Sequence, residues 1–502
     1  NSDITRVIAT KMEPRAHVAP QKPLLVGASD NLLVCPVGQR GLKATAGLLG
    51  RSFEDAASDQ KLVREAPPLE LSKRLLGRFS SFQVRAKTIQ ERVKETQVPL
   101  DSAHAEELLA DYSDGVSAEL QSARDELRRH GRWDANPTSR ADHDTLCFSL
   151  AVLDLVKETA ISCSAPSAPR LLQWYCRHYL EEDLAEWWQQ AQQWAECPDA
   201  CEKDSPFWEP LCRLALADCK AEVLELLQRS ASKDQQVARV CDFLLKIPSL
   251  QQMDQGLASS VEFCHAVREI QDAAQRLLRE APAEHPTRQL LQVYAGCSQS
   301  TFEANEDIAA QMSRTWVEDF ILSHAWVFPD LRRMELGDLL RAIARRRVSE
   351  TIDDVDRVLF AALTVDVPEL LRLLASMPDR FPGYLVVHLV DMMYFAGRVP
   401  TSFETPQLIP PRDWHLIAYA QELCRGPRQQ WRYALDYLRA AGSPAAAQYL
   451  ASVADRYCTA AADDDAELVK ALELLEELGL RSLGVKQCWR RAQQLRAAGD
   501  II

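Results

Sequence analysis

Glycine is scarce in this chain. There are 18 glycines in 502 residues, where average usage of about 7% would give about 35. None falls between Gly131 and Gly256. Phosphate-cradling loops and tight β-turns depend on glycine's access to positive φ, so the shortage disfavours enzymes built on such loops and favours stacked helices. No Walker loop, dinucleotide fingerprint or Gly-x-Ser-x-Gly elbow is present. The 14 cysteines contain no Cys-x-x-Cys pair. The closest two, Cys197 and Cys201, flank a Pro-Asp turn, with Cys176-Arg177-His178 nearby. Most cysteines fall on apolar helical faces, as Cys147, Cys241 and Cys424 do. They read as small buried hydrophobes in a reducing compartment, not as zinc ligands. The ten histidines form no metal spacing. No apolar run reaches the roughly 18 residues that span a bilayer; Phe381 to Val390 comes closest and is stopped by Asp391. Positive charge is in deficit, 58 basic against 72 acidic residues for a net −14, so nucleic acid binding gains no electrostatic help. No secretory signal is visible, and the chain opens on Asn1 rather than methionine, which leaves a preceding segment open.

What is present differs between the two ends. The first 40 residues read as short strands: Ile4-Thr5-Arg6-Val7-Ile8, Pro23-Leu24-Leu25-Val26 and Leu32-Leu33-Val34-Cys35, the last two separated by Gly27-Ala28-Ser29-Asp30. Three strands on a helical protein leave raw edges and an uncovered apolar face. The simplest resolution is that another protein covers them.

Beyond about residue 50 the pattern is helical. Gly442-Ser443-Pro444 stops one helix, caps the next and puts proline in its first turn. Ser205-Pro206 and Ser167-Ala168-Pro169 repeat the device, and Gly397 and Gly426-Pro427 end two more helices. Apolar stripes run through Ile352, Val355, Leu359 and Leu363, through Leu385, His388, Leu389 and Met392, and through Tyr433, Tyr437 and Leu438 after Trp431. From about residue 140, roughly 15 helices of 10 to 20 residues are expected, with short connections that make consecutive helices neighbours. No fixed repeat is found. Residues 51 to 135 are more polar, Glu119 to Arg132 reads as exposed, and Asp134 to Ser139 as a loop.

The groups that carry chemistry have bland readings beside the sharp ones. Asp463-Asp464-Asp465-Ala466-Glu467 has the Asp-Asp-x-x-Glu spacing that holds Mg²⁺ on a diphosphate in all-helical synthases, but no second acidic helix faces it. Acidic residues at a helix start, here and at Asp353-Asp354-Val355-Asp356, also suit the helix dipole. His388 reads as a satisfied core histidine, and Cys264-His265 project in different directions. Arg345-Arg346-Arg347 sits where cations complement a helix C-terminus. Trp187 and Trp194, with Leu184 and Ala191, read as one core face, and Trp188 points elsewhere.

Several stretches in collinear order resemble the nucleoporin eighty-five family of the outer-ring Y complex. They are Asp30 to Cys35, Leu171-Leu172-Gln173-Trp174, Ser205-Pro206-Phe207-Trp208 with Leu224, Leu226 and Leu227, Asp354 to Asp366 around Leu359-Phe360-Ala361-Ala362, and Trp431 to Leu438. The resemblance implies an all-α fold, the ancestral coatomer element: an irregular α-helical solenoid folded back on itself into trunk and crown. It implies a non-enzymatic scaffold of the nuclear pore complex at the nuclear envelope, supporting nucleocytoplasmic transport, with no cofactor. Partners would be other Y-complex nucleoporins and an open six-bladed WD-repeat propeller of the Sec-thirteen-homologue type, to which a short N-terminal β-blade is donated in trans. Ile4, Val7, Leu24, Val26, Leu32 and Val34 are then the expected contact residues. The expected divisions are a blade over 1–45, helices and linker over 46–140, and the solenoid over 141–502. Family members continue past the point matching Ile502 into a tail that joins the hub of the Y. Alternatives are a related vesicle or lysosomal coat scaffold and an all-helical metal-dependent enzyme.

Overall fold

The computed structural model describes residues 68–96, 102–129, 137–161, 167–197, 205–230, 234–257, 260–296, 313–329, 331, 333–347, 353–377, 380–399, 409–461 and 465–498. Among them, α1 (Leu69–Thr96), α2 (Ser102–Arg129) and α3 (Pro137–Val156) come first, α3 running into a π-helical turn at Lys157–Ile161. Next are α4 (Ala168–Tyr179), α5 (Glu181–Ala195), α6 (Trp208–Leu216), α7 (Lys220–Ser230) and α8 (Gln235–Lys246). Then come α9 (Leu250–Gly256), α10 (Ser260–Glu280), α11 (Thr287–Ala295) and α12 (Trp316–Leu322), the last extended by a π-helical turn at Ser323–Val327. After it lie α13 (Arg333–Arg346), α14 (Asp354–Leu363), α15 (Val367–Ser376), α16 (Gly383–Phe395) and α17 (Pro411–Leu423). The series ends with α18 (Arg428–Ala440), α19 (Pro444–Ala461), α20 (Asp465–Glu477) and α21 (Arg481–Ala498). No strand occurs among the described residues, and no helix among them is long and apolar enough to cross a membrane.

Local chemistry sets these boundaries. Ser167 Oγ accepts from Arg170 N–H, with Pro169 in the first turn of α4. Ser443 Oγ accepts from Ala446 N–H ahead of α19. Ser249 and Asp353 form full capping boxes with Gln252 and Asp356. Ser205 differs from expectation. Its hydroxyl closes a turn onto Phe207 N–H and the helix starts only at Trp208. Four helix ends close with the same 6→1 bond around a left-handed residue: Asp218 after α6, Val365 after α14, Gly397 after α16 and Gly479 after α20. Glycine fills two of the four. Val365, at φ 55, holds a β-branched side chain where strain costs about 1–3 kcal/mol.

Nineteen α-helices run from Pro137 onward among the described residues, more than the 15 expected. α9 and α12 have only 7 residues each, too few to show two full apolar periods, and α6 and α11 have only 9. Pro137 to Ser139, expected in a loop, form the first turn of α3, where proline's missing N–H does no harm. Leu120 and Ala123 are buried in the stretch expected to be exposed.

The chain divides into two compact units, residues 1–119 with 375–502, and residues 120–374. In the first, α1 buries Leu75, Phe79, Phe82 and Ala86, spaced four, three and four apart on one face. That face packs on α16 and α18. Burying each phenylalanine stabilises the unit by about 1.5–3 kcal/mol. The stripe expected on α16 is buried, but so is all of the helix except Tyr394; in an almost wholly apolar segment a stripe has no contrast from which to be read. Helices α16 to α21 each pack on the next. In the second unit all seven residues of α12 are buried, and α12 packs on α4 and α13.

Candidate functional site

The six expected partner-contact residues, Ile4, Val7, Leu24, Val26, Leu32 and Val34, lie outside the described residues, as do the three strands, Asp463, Asp464, Cys201 and Ile352. The described residues contain three clusters of buried polar and charged groups.

In the first unit the densest cluster is built on Asp391, the residue that stops the apolar run of α16. Its carboxylate is fully buried and accepts from Arg412 Nε at 2.7 Å and from Gln83 Nε2 at 2.8 Å. Arg412 also donates to Gln83 Oε1 at 3.2 Å and to the Ala440 carbonyl at 3.0 Å. Its guanidinium lies 4.8 Å from the Tyr394 ring centre. One ion pair thus joins α1, α16, α17 and the end of α18. Burial pushes the Asp391 carboxyl up, and Arg412 opposes it. One turn away, His388 sits between two phenols, with Tyr112 Oη 2.7 Å from Nδ1 and Tyr437 Oη 3.3 Å from Nε2. Burial lowers its pKa to about 3, so the ring stays neutral, donating from one nitrogen and accepting at the other. The satisfied core histidine read from sequence is what the structure contains.

A pH prediction follows from His388. The folded state resists protonation down to about pH 3, whereas an exposed histidine takes a proton near 6.5. The unfolded chain therefore binds more protons between these values, and stability is full above about pH 6.5 and falls with acidification. The slope from this group is about 1.4 kcal/mol per pH unit. Urea midpoints measured between pH 7 and pH 5 check this: His388→Gln should flatten the slope relative to the parent chain. An unchanged slope counts against the assignment.

In the second unit the equivalent cluster is Asp319 on α12, almost fully buried. Arg346 and Arg347 reach its two oxygens at 3.0 and 3.2 Å, and Ser323 Oγ donates to it. Two cations of the Arg345-Arg346-Arg347 run are therefore consumed by a buried carboxylate, where the sequence indicated only a helix-end charge. In the same unit the guanidinium groups of Arg213 and Arg314 lie over the Trp187 ring, at 5.4 and 5.3 Å from its centre. Trp194 corrects the sequence reading: it is exposed, and the packed face of α5 is Trp187, Ala191 and Ala195, a strict four-residue spacing.

The remaining candidates among the described residues are paired or buried as follows. Asp353 and Asp356 cap α14 and each other, and Asp356 also accepts from the Trp316 indole N–H at 2.8 Å. His265 is exposed and faces Glu269. Cys212, Cys241 and Cys458 are buried, Cys147 and Cys424 half-buried. Burial pushes the Cys212 thiol up to about 12, far from a thiolate nucleophile. No metal-binding group of three ligands occurs among the described residues. What these clusters do is join helices.

Of the stretches that carried the family resemblance, Asp30 to Cys35 lies outside the described residues, and the others contribute buried side chains to the helical packing. Leu171, Leu172 and Trp174 are buried on α4, with the Trp174 indole donating to the Ala151 carbonyl at 2.8 Å. Phe207 and Trp208 are buried at the start of α6, Leu226 and Leu227 on α7. The Nup85 nucleoporin family model matches residues 59–501. The chain belongs to the Nup85 nucleoporin family. Comparison with individual curated proteins gave no match. Nup85 nucleoporins are scaffold components of the nuclear pore complex at the nuclear envelope and work with other nucleoporins there. The family match begins at residue 59, after all six expected contact residues.

Proposed function

We propose that this Nup85-family chain donates residues 1–45 as a three-stranded blade to an open six-bladed WD-repeat propeller. The helices then hold that propeller at one end of a Y-complex arm and so support transport through the pore. The observation that carries this reading is the set of three β-type runs, containing Ile4, Val7, Leu24, Val26, Leu32 and Val34, ahead of a body whose described elements are all helices. An open propeller offers two unpaired sheet edges. A donated blade satisfies both through backbone hydrogen bonds, and its alternating apolar side chains pack between neighbouring blades. We assign the blade to 1–45, a connecting helical region to 46–140 and the folded-back solenoid to 141–502. The function is architectural: stiffness and position rather than turnover.

Co-purification tests this. The full chain and a chain lacking residues 1–45 are each expressed with tagged open propellers of the pore and coat types. Stoichiometric co-elution is expected with the full chain only. Equal recovery with both forms, or with neither, counts against blade donation. Preference between the two propellers separates a pore scaffold from a vesicle-coat relative.

A further inference from the structure

α21 faces the wrong way for a helix that only packs. It lies on α19 and α20, and the side chain it buries is Gln487, whose amide donates to Asp455 Oδ1 at 2.7 Å. Val485 and Trp489, two positions before and after it, stand about 200° around the helix from it. They are 70% and 68% exposed. No other tryptophan among the described residues is so exposed. Rotating the helix half a circle about its axis would exchange them, with the indole in the core and the amide in water. The observed setting keeps a glutamine inside and a tryptophan outside, the reverse of the usual preference. A partner that covers the outer face accounts for both.

That face is ordered. Ser482, Val485, Trp489, Ala492 and Arg496 recur at three, four, three and four, and the first four line one open surface. This is the a/d spacing by which one helix meets another, and it extends about 21 Å along α21. Charge says what kind of helix. α21 holds five cations, Arg481, Lys486, Arg490, Arg491 and Arg496, and no acidic residue, in a chain of net charge −14. Arg481 reaches Glu476 at 3.3 Å and Lys486 reaches Asp455 at 3.4 Å. Both pairs are exposed and hold weakly, and Asp455 is shared with Gln487. Arg490 donates to Thr459 Oγ1 and Gln487 Oε1, both neutral. Positive charge is therefore in surplus beside the seam. A second copy of α21 would set cation against cation across it, whereas an acidic helix sets carboxylate against cation.

We propose that the Val485–Trp489 face of α21 docks an acidic amphipathic helix of a partner protein, with Trp489 as its anchor. This attachment is separate from blade donation by residues 1–45 and is tested on the full chain without a propeller. The probe is a synthetic peptide of about three heptads with leucine at a and d and glutamate at e and g, whose like charges keep it from pairing with itself. Its control carries lysine at e and g. Cys488 reports on the site, since it is exposed and borders the same surface. The glutamate peptide should slow alkylation of Cys488 by iodoacetamide, followed by mass spectrometry, and the lysine peptide should not. Anisotropy of the labelled glutamate peptide gives its affinity, which Trp489→Ala should weaken at least about tenfold. Arg481→Gln with Lys486→Gln should weaken it too and reduce its salt dependence. All three positions are exposed, so Tm should hold in these variants. No binding, equal binding of both peptides, or binding that ignores Trp489→Ala overturns the proposal. So does a concentration-dependent dimer, or co-sedimentation with phosphatidylserine vesicles, that Trp489→Ala abolishes while the glutamate peptide has no effect. The face then belongs to a second copy or to a membrane surface.

Discussion

Asp391→Ala is expected to destabilise the first unit by about 3–5 kcal/mol, the cost of leaving a buried cation without its partner. Arg412 is almost fully buried, and Gln83 would lose the acceptor for its amide. The ion pair need not be a net stabiliser for this to hold, because the penalty lies in the uncompensated charge. Asp391→Leu with Arg412→Met removes both charges at similar volume and should recover much of the loss. Urea midpoints of the parent, the single and the double variant form the test. A double variant as unstable as the sum of its singles would show that packing, not charge compensation, holds α1 to α16 and α17.

Asp319→Ala should produce a loss of similar size in the second unit, about 3–5 kcal/mol, since two guanidinium groups lose one buried carboxylate. The comparison that gives this prediction force lies within one arginine run. Arg345 is exposed, and Arg345→Ala should fall within about 0.5 kcal/mol of the parent. Arg347→Ala should cost several times more, because Arg347 also donates to the Ser313 carbonyl at 2.8 Å. Thermal melts of the three variants check this ranking. If all three are alike, the run is a surface charge cluster and the buried pairing is misassigned.

These two joints mark the boundary of what could be read from sequence. Caps such as Ser167 and Ser443 were legible because their partners lie within three residues. The helical class was legible from period and from missing glycine. Asp391 was visible as an acid in an apolar run, yet nothing local identifies Gln83, 308 positions away, as its partner. Trp194 was misplaced because a helix about four turns long has two faces that satisfy a three–four rule, and only contact with neighbours chooses between them. Arg346 and Arg347 were underestimated for the same reason: Asp319 belongs to another helix. The short helices α9 and α12 escaped notice because seven residues complete just under two turns.

The pairing of α1 with α18 has a consequence for how the chain is made. Phe79 packs against Tyr437 at 4.5 Å between ring centres. A ribosome adds about 5–20 residues per second. Between the emergence of the two aromatic rings, synthesis of the intervening chain takes roughly 20–70 s at that pace. Throughout that interval the whole of residues 120–374 emerges and can collapse on itself, while the part of the α1 apolar face that packs on α16 and α18 has no native surface to cover it. The N-terminal helices are thus the first made and among the last to be buried, and nascent-chain holding factors have their longest opportunity there.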